Sequence, residues 1–87
     1  MYVIIVYDIE EDRVDRVNKI LKRFLNWRQN SVFEGELTNS QLEELNQEIA
    51  LVIDPSEDSV LIYKLANKND FETTILGKDK SPIDRIL

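Results

Sequence analysis

Cysteine and histidine are both absent from this sequence. Without cysteine there is no disulfide to staple a small fold and no thiolate to act as nucleophile or soft metal ligand. Without histidine the chain lacks the usual general base, Ser-His and Cys-His catalysis, and the common structural zinc sites. Any chemistry must rest on carboxylates, Arg, Lys, Tyr, Ser or Thr, with a hard metal ion as the natural helper. No apolar run approaches the length of a membrane span. No basic stretch precedes the first apolar run, so no signal peptide is expected either, and the expected location is the cytoplasm. Internal repeats, linkers and low-complexity stretches are missing as well. One domain over residues 1–87 is expected, near the small end of what folds alone, and a core this small is naturally supplemented by dimerisation.

The charge is acidic overall, at −6, but unevenly placed. Residues 13–28 carry Arg13, Arg16, Lys19, Lys22, Arg23 and Arg28 against a single acid, Asp15, which makes that stretch +5 and leaves −11 for the remainder. Two readings follow: a local anion-binding face on an otherwise repelling body, or an ordinary solvated helix face.

Tyr2–Ile9 is an apolar run without alternation, which predicts a central strand covered on both faces. It delivers Asp8 to the strand's exit. A carboxylate there, next to a positive helix, can hold a divalent cation against a phosphodiester, or can simply cap the helix that follows. Asp12 is placed to cap that helix. Val14, Val17, Ile20, Leu21, Phe24 and Leu25 share one helical face, with Arg16, Lys19, Lys22 and Arg23 opposite and Arg13 at the border near Asp8. Residues 28–38 read as one short strand or a tight hairpin, and Gly35 as a bulge or a close backbone approach. Ser40 with Glu43 fits a capping box for a second helix, whose stripe is Leu42, Leu45, Ile49, Val52 and Ile53 and which Asp54-Pro55 stops. Ser59–Leu65 reads as a strand and Phe71–Leu76 as another. The tail, 78–87, carries Ile83, Ile86 and Leu87, and so is expected to dock on a sheet edge or a partner subunit. The order predicts an α+β fold, a ferredoxin-like β-α-β-β-α-β sandwich with two helices on one face of an antiparallel sheet and an extra C-terminal strand. The uncovered sheet face again points to a dimer.

At Tyr7-Asp8-Ile9 and at Ser31-Val32-Phe33-Glu34-Gly35, inside a chain of this length and order, the sequence resembles the family of CRISPR-associated protein two, the small spacer-acquisition subunit of CRISPR antiviral defense. The resemblance implies a ferredoxin-like homodimer that binds double-stranded DNA and joins integrase dimers of CRISPR-associated protein one. It also implies a metal-dependent endonuclease site, with single-stranded RNA the other substrate class ascribed to members. Residue by residue, it assigns the catalytic and metal-binding role to Asp8, with Mg2+ as cofactor. Arg16 and Arg28 match basic positions of the family, and Arg13 is the substitute for an arginine replaced here by Val14. Tyr7, Ser31 and Phe33 match positions associated with the cleft. The nucleic-acid-binding set is therefore Arg13, Arg16, Lys19, Lys22, Arg23, Arg28 and Ser31. The competing reading is a ferredoxin-like regulatory or small-molecule-binding module with no nucleic-acid role.

Read from the residues alone, Tyr7 and Phe33 are core aromatics, and Ser31 has no base to make it a nucleophile. One carboxylate is a poor magnesium site; a two-fold dimer would bring a second Asp8 to the axis. Two close carboxylates repel unless a cation lies between them.

Overall fold

The computed structural model describes residues 1–81. The chain runs β1 (Tyr2–Asp8), α1 (Glu11–Phe24), β2 (Asn26–Gln29), β3 (Val32–Glu36), α2 (Asn39–Ala50) and β4 (Ser59–Leu65), followed by a short 3-10 turn at Lys68–Asp70. The sheet order is β2-β3-β1-β4 and every pairing is antiparallel, which is the split β-α-β arrangement of a ferredoxin-like sandwich.

β1 is central, but its burial alternates. Val3, Ile5 and Tyr7 are buried, while Tyr2, Ile4 and Val6 are only half-buried and Asp8 is exposed. The expectation of a strand covered on both faces is corrected accordingly. Both helices lie on one face, where Val17, Leu21, Leu25, Leu42, Leu45 and Ile49 meet Val3, Ile5, Tyr7 and Phe33 in a single core. The uniform apolar run gave no alternation to read because Ile4 and Val6 are apolar without being helix-covered.

The helix starts also differ from expectation. α1 has Glu10 at its N-cap with no side-chain cap, and Asp12 sits inside the first turn. α2 is capped by Thr38 rather than Ser40: the Gln41 amide donates to Thr38 Oγ1 at 3.1 Å, and the Thr38 amide donates to Gln41 Oε1 at 2.9 Å. Residues 28–38 resolve as the hairpin. Its turn passes through Asn30 at φ 44°, a left-handed conformation that asparagine tolerates better than most residues. Trp27 lies in β2, and its indole N–H donates to the Asn30 carbonyl at 3.0 Å across that turn. Gly35 is a close approach and not the bulge: a Cβ there would lie 3.1 Å from Leu25 Cδ2, whereas the register shift falls between Trp27 and Gln29.

Residues 71–76 do not form the expected strand. The turn at Lys68–Asp70 redirects the chain away from the β4 edge. Phe71 then packs on Tyr2, with ring centroids 5.5 Å apart, and Arg28 Nη1 donates to Asp79 Oδ1 at 2.6 Å. These contacts draw the segment over one corner of the helix-free face instead of along β4. Ile83, Ile86 and Leu87, and the expected docking of the tail from residue 82 onward, lie outside the described residues.

Candidate functional site

Asp8 is the last residue of β1, paired in register with Ser59, the first of β4. Its parity along the strand puts it on the face of Tyr2, Ile4 and Val6, opposite the helices. On that same face the register aligns Leu61 with Val6 and Tyr63 with Ile4. Leu61 and Tyr63 are 53% and 54% exposed, an unusual state for two neighbouring large apolar side chains. Asp8 thus borders an uncovered apolar strip. Among the described residues no side chain caps α1 at its N-cap Glu10.

The loop from Asp8 into α1 is held from a distance. Asp58, just before β4, has a side chain with 0% exposure, and its carboxylate accepts four hydrogen bonds. The Glu10 amide donates to Oδ1 at 2.9 Å and the Asp54 amide to Oδ2 at 2.8 Å. Arg13 donates from Nε to Oδ2 at 2.7 Å and from Nη2 to Oδ1 at 3.1 Å. A carboxylate without solvent is tolerable only when its lone pairs are filled and its charge is matched, and both conditions hold here. The Arg13 hydrogen bonds, with the two backbone amides, hold the Asp58 carboxyl well below the usual carboxylate range, against the opposing effect of burial. The same bond raises the Arg13 guanidinium further above its ordinary value.

This shift has a sign. A carboxyl whose folded-state pKa is depressed contributes stability that is complete above the unfolded value, about 3.9, and is lost as pH falls through the folded value. Arg13 stays charged throughout. Of the acids beside it, Asp54 is lowered by its hydrogen bonds from Ser56 and adds to the slope, whereas Glu57, raised against the pull of Arg13 by the nearby Asp54 charge, opposes it. Asp58→Asn should therefore be much less stable than wild type at pH 7, with the gap in melting temperature narrowing steadily below about pH 4. Acid melting curves of the two proteins test this; a gap independent of pH would show that Asp58 is not ionised in the fold.

The six cations of residues 13–28 separate into two groups. Arg13 is held by Asp58. Arg23 grips Glu48 of α2 through two bonds of 2.8 and 2.7 Å, and this pairing raises its pKa. Arg28 is only 12% exposed and lies between Glu34, at 3.4 Å, and Asp79, at 2.6 Å. Arg16, Lys19 and Lys22 are exposed and make no ion pair among the described residues. They lie at spacings of three along α1 and so share a stripe on its solvent side.

Tyr7 and Phe33 are buried, tilted against each other with ring centroids 6.2 Å apart. The Tyr7 hydroxyl donates to Asn18 Oδ1, and burial pushes the phenol's pKa up. Ser31 is half-buried in the hairpin turn, and its carbonyl accepts the Tyr7 amide at 3.1 Å. Tyr7 belongs to the strand that delivers Asp8, and Phe33 and Ser31 lie beside it in β3 and the turn before it. Asp58 escaped the sequence reading. Its contact with Arg13 spans 45 positions, and nothing in local spacing joins the two; the only local sign is an acid immediately ahead of an apolar strand.

Among the described residues no group of three or more acids is placed to hold a metal. The donor set is nonetheless of the hard kind. One exposed carboxylate per chain, with water and phosphate filling the other positions, fits magnesium rather than zinc.

The family model for CRISPR associated protein Cas2 matches residues 1–73. Over 87 residues the chain is 46% identical to the CRISPR-associated endoribonuclease Cas2 of Pyrococcus furiosus, covering 100% of both chains. It is 47% identical to the protein of the same name from Methanocaldococcus jannaschii, covering 100% of this chain and 76% of that one. A crystal structure of cas2 superposes with a TM-score of 0.88 at 52% identity, covering 100% of this chain and 98% of that one. Streptococcus pyogenes Cas2 at pH 6.5 superposes with a TM-score of 0.78 at 26% identity, covering 88% and 100%. The ferredoxin-like order, the strand-end aspartate and these matches together make the chain a member of the CRISPR-associated protein Cas2 family.

Proposed function

We propose that this chain is the spacer-acquisition subunit of a CRISPR system: a homodimeric scaffold that binds duplex DNA, docks the integrase, CRISPR-associated protein one, and carries a magnesium-dependent phosphodiesterase site at paired Asp8. The observation that carries the reading is the position of Asp8 at the end of an exposed apolar strip. A second copy covering Ile4, Val6, Leu61 and Tyr63 about a two-fold axis draws its own Asp8 toward the first. A bound magnesium ion would polarise the phosphodiester and supply an activated water. The chain's own contribution is to hold the carboxylates, steady the phosphates and keep the strand end rigid. The endoribonuclease named in the relatives supports RNA as a second substrate class, taken here as single-stranded, and the cytoplasm is the location that suits it.

Arg16, Lys19 and Lys22 are the cations left to meet phosphates, and phosphate contacts need no base-reading geometry. Arg13, Arg23 and Arg28 can join only by leaving the carboxylates they hold. Lys19→Glu with Lys22→Glu should therefore weaken duplex binding by about tenfold or more in moderate salt and flatten the salt dependence. The same reversals at Lys78 and Lys80 should change it little. Equal losses at both places would remove α1 as the binding face. Loss of duplex binding should also stop spacer acquisition in cells carrying the integrase, whether or not cleavage survives.

A further inference from the structure

Asp58 and Arg13 have no part in the site as proposed above, yet their contacts converge on it. The Asp58 carboxylate binds the Glu10 amide, two residues after Asp8, and Asp58 itself precedes Ser59, the residue in register with Asp8. Arg13, from the first turns of α1, closes on the same carboxylate with two nitrogens, and the Asp54 amide completes the set. One solvent-free carboxylate thereby ties together the exit of β1, the start of α1 and the entry to β4, which are the three segments that surround Asp8.

We propose that Arg13 and Asp58 are positioning residues that clamp the backbone on both sides of Asp8. The N3 position of α1 is Arg13, a donor that cannot take the N-cap amide as a capping-box residue would, and Asp58 takes that amide instead. Without Asp58 the Glu10 amide would lose its partner in a part-buried place, and the strand end would be free to fray. A carboxylate that must meet a cation and a phosphate at fixed distances cannot sit on a fraying strand end, because ligand geometry depends on the residues that hold the ligand. Two parallel bonds from a planar guanidinium fix orientation as well as charge, which an ammonium cannot do. Arg13 therefore acts behind the site rather than on the nucleic acid. The consequence for hydrolysis rests on the reading of Asp8 as the metal-bearing acid; the clamp itself does not.

The test compares wild type with Arg13→Lys, which keeps the charge and loses the fork, and with Asp58→Asn. Each is assayed well below its own melting temperature. Amide hydrogen exchange at Glu10 should accelerate by about tenfold or more in both variants, while that at Ile5 in the core is unchanged. Mn2+ affinity, read from water-proton relaxation, and magnesium-dependent cleavage should each fall by about tenfold or more, with duplex affinity held within about twofold. If Asp58→Asn does not fold, Arg13→Lys alone decides. Unchanged exchange at Glu10 overturns the clamp. Faster exchange with undiminished Mn2+ affinity and cleavage makes the pair structural only, and overturns the positioning role. A duplex affinity that falls in step with cleavage returns Arg13 to the phosphate-binding face. If wild type neither binds Mn2+ nor cleaves, the metal reading of Asp8 is what fails, and exchange at Glu10 still decides the clamp.

Discussion

In Asp8→Asn, magnesium-dependent cleavage should fall by about a hundredfold or more, because a carboxylate that holds the metal supplies several kcal/mol to the transition state. Asparagine is nearly isosteric, and Asp8 is exposed at a strand end, so the fold should be undisturbed and melting nearly unchanged. Duplex binding should survive as well, since it draws on Arg16, Lys19 and Lys22 rather than on a carboxylate. The size of the expected loss follows from what the chain lacks. Neither histidine nor cysteine is present, and no cluster of acids among the described residues could take over as metal ligand. Cleavage of single-stranded RNA and of duplex DNA, with magnesium, manganese or chelator, is the assay. Activity that persists in chelator, or at the wild-type rate in Asp8→Asn, removes Asp8 from the chemistry. Acquisition in cells gives an independent reading: a scaffold whose cleavage is dispensable acquires spacers normally with Asp8→Asn, and a nuclease whose cleavage is required does not.

The sequence disclosed Asp8 because a strand exit is a local feature: an apolar run, an acid, then a change of period. It disclosed both helices for the same reason. Their caps were misplaced because a capping signal is degenerate. Thr38 with Gln41 and Ser40 with Glu43 obey the same spacing rule, and the first of the two is the one that forms. Asp12 has cap chemistry, but the helix begins earlier, with Glu10 at the N-cap, and the Glu10 amide meets Asp58, a partner brought near only by the closing of β4 onto β1. The basic stretch was visible as composition, yet composition could not separate Arg16, Lys19 and Lys22 from Arg23, whose partner Glu48 comes from the other helix. Tyr7 and Phe33 show the converse. Their residue types alone mark them as core aromatics, and both rings are buried in the core under the helices.

Leu61→Glu combined with Tyr63→Glu should convert a micromolar dimer to monomer. The two side chains are 53% and 54% exposed in the isolated chain, so replacing them costs the monomer little. In a two-fold assembly through this face the same side chains are counted twice. Burying their exposed halves in both subunits is worth roughly 3–6 kcal/mol in all, at about 1.5–3 kcal/mol for each large apolar side chain taken fully from water. At about 1.4 kcal/mol per tenfold, their loss alone weakens association by about a hundredfold to ten-thousandfold, before the like charges facing each other across the axis add their repulsion. Sedimentation at micromolar concentration reads the assembly directly, and circular dichroism melting shows whether the monomer remains folded. Cleavage should vanish with the dimer, since a lone Asp8 has no second carboxylate to share a cation. Duplex affinity should fall as well, because two α1 stripes on one body bind far more tightly than one. A variant that stays dimeric would place the interface elsewhere. A folded monomer that still cleaves at the wild-type rate would show that one Asp8 suffices, and would separate the catalytic reading from the two-fold on which the paired site depends.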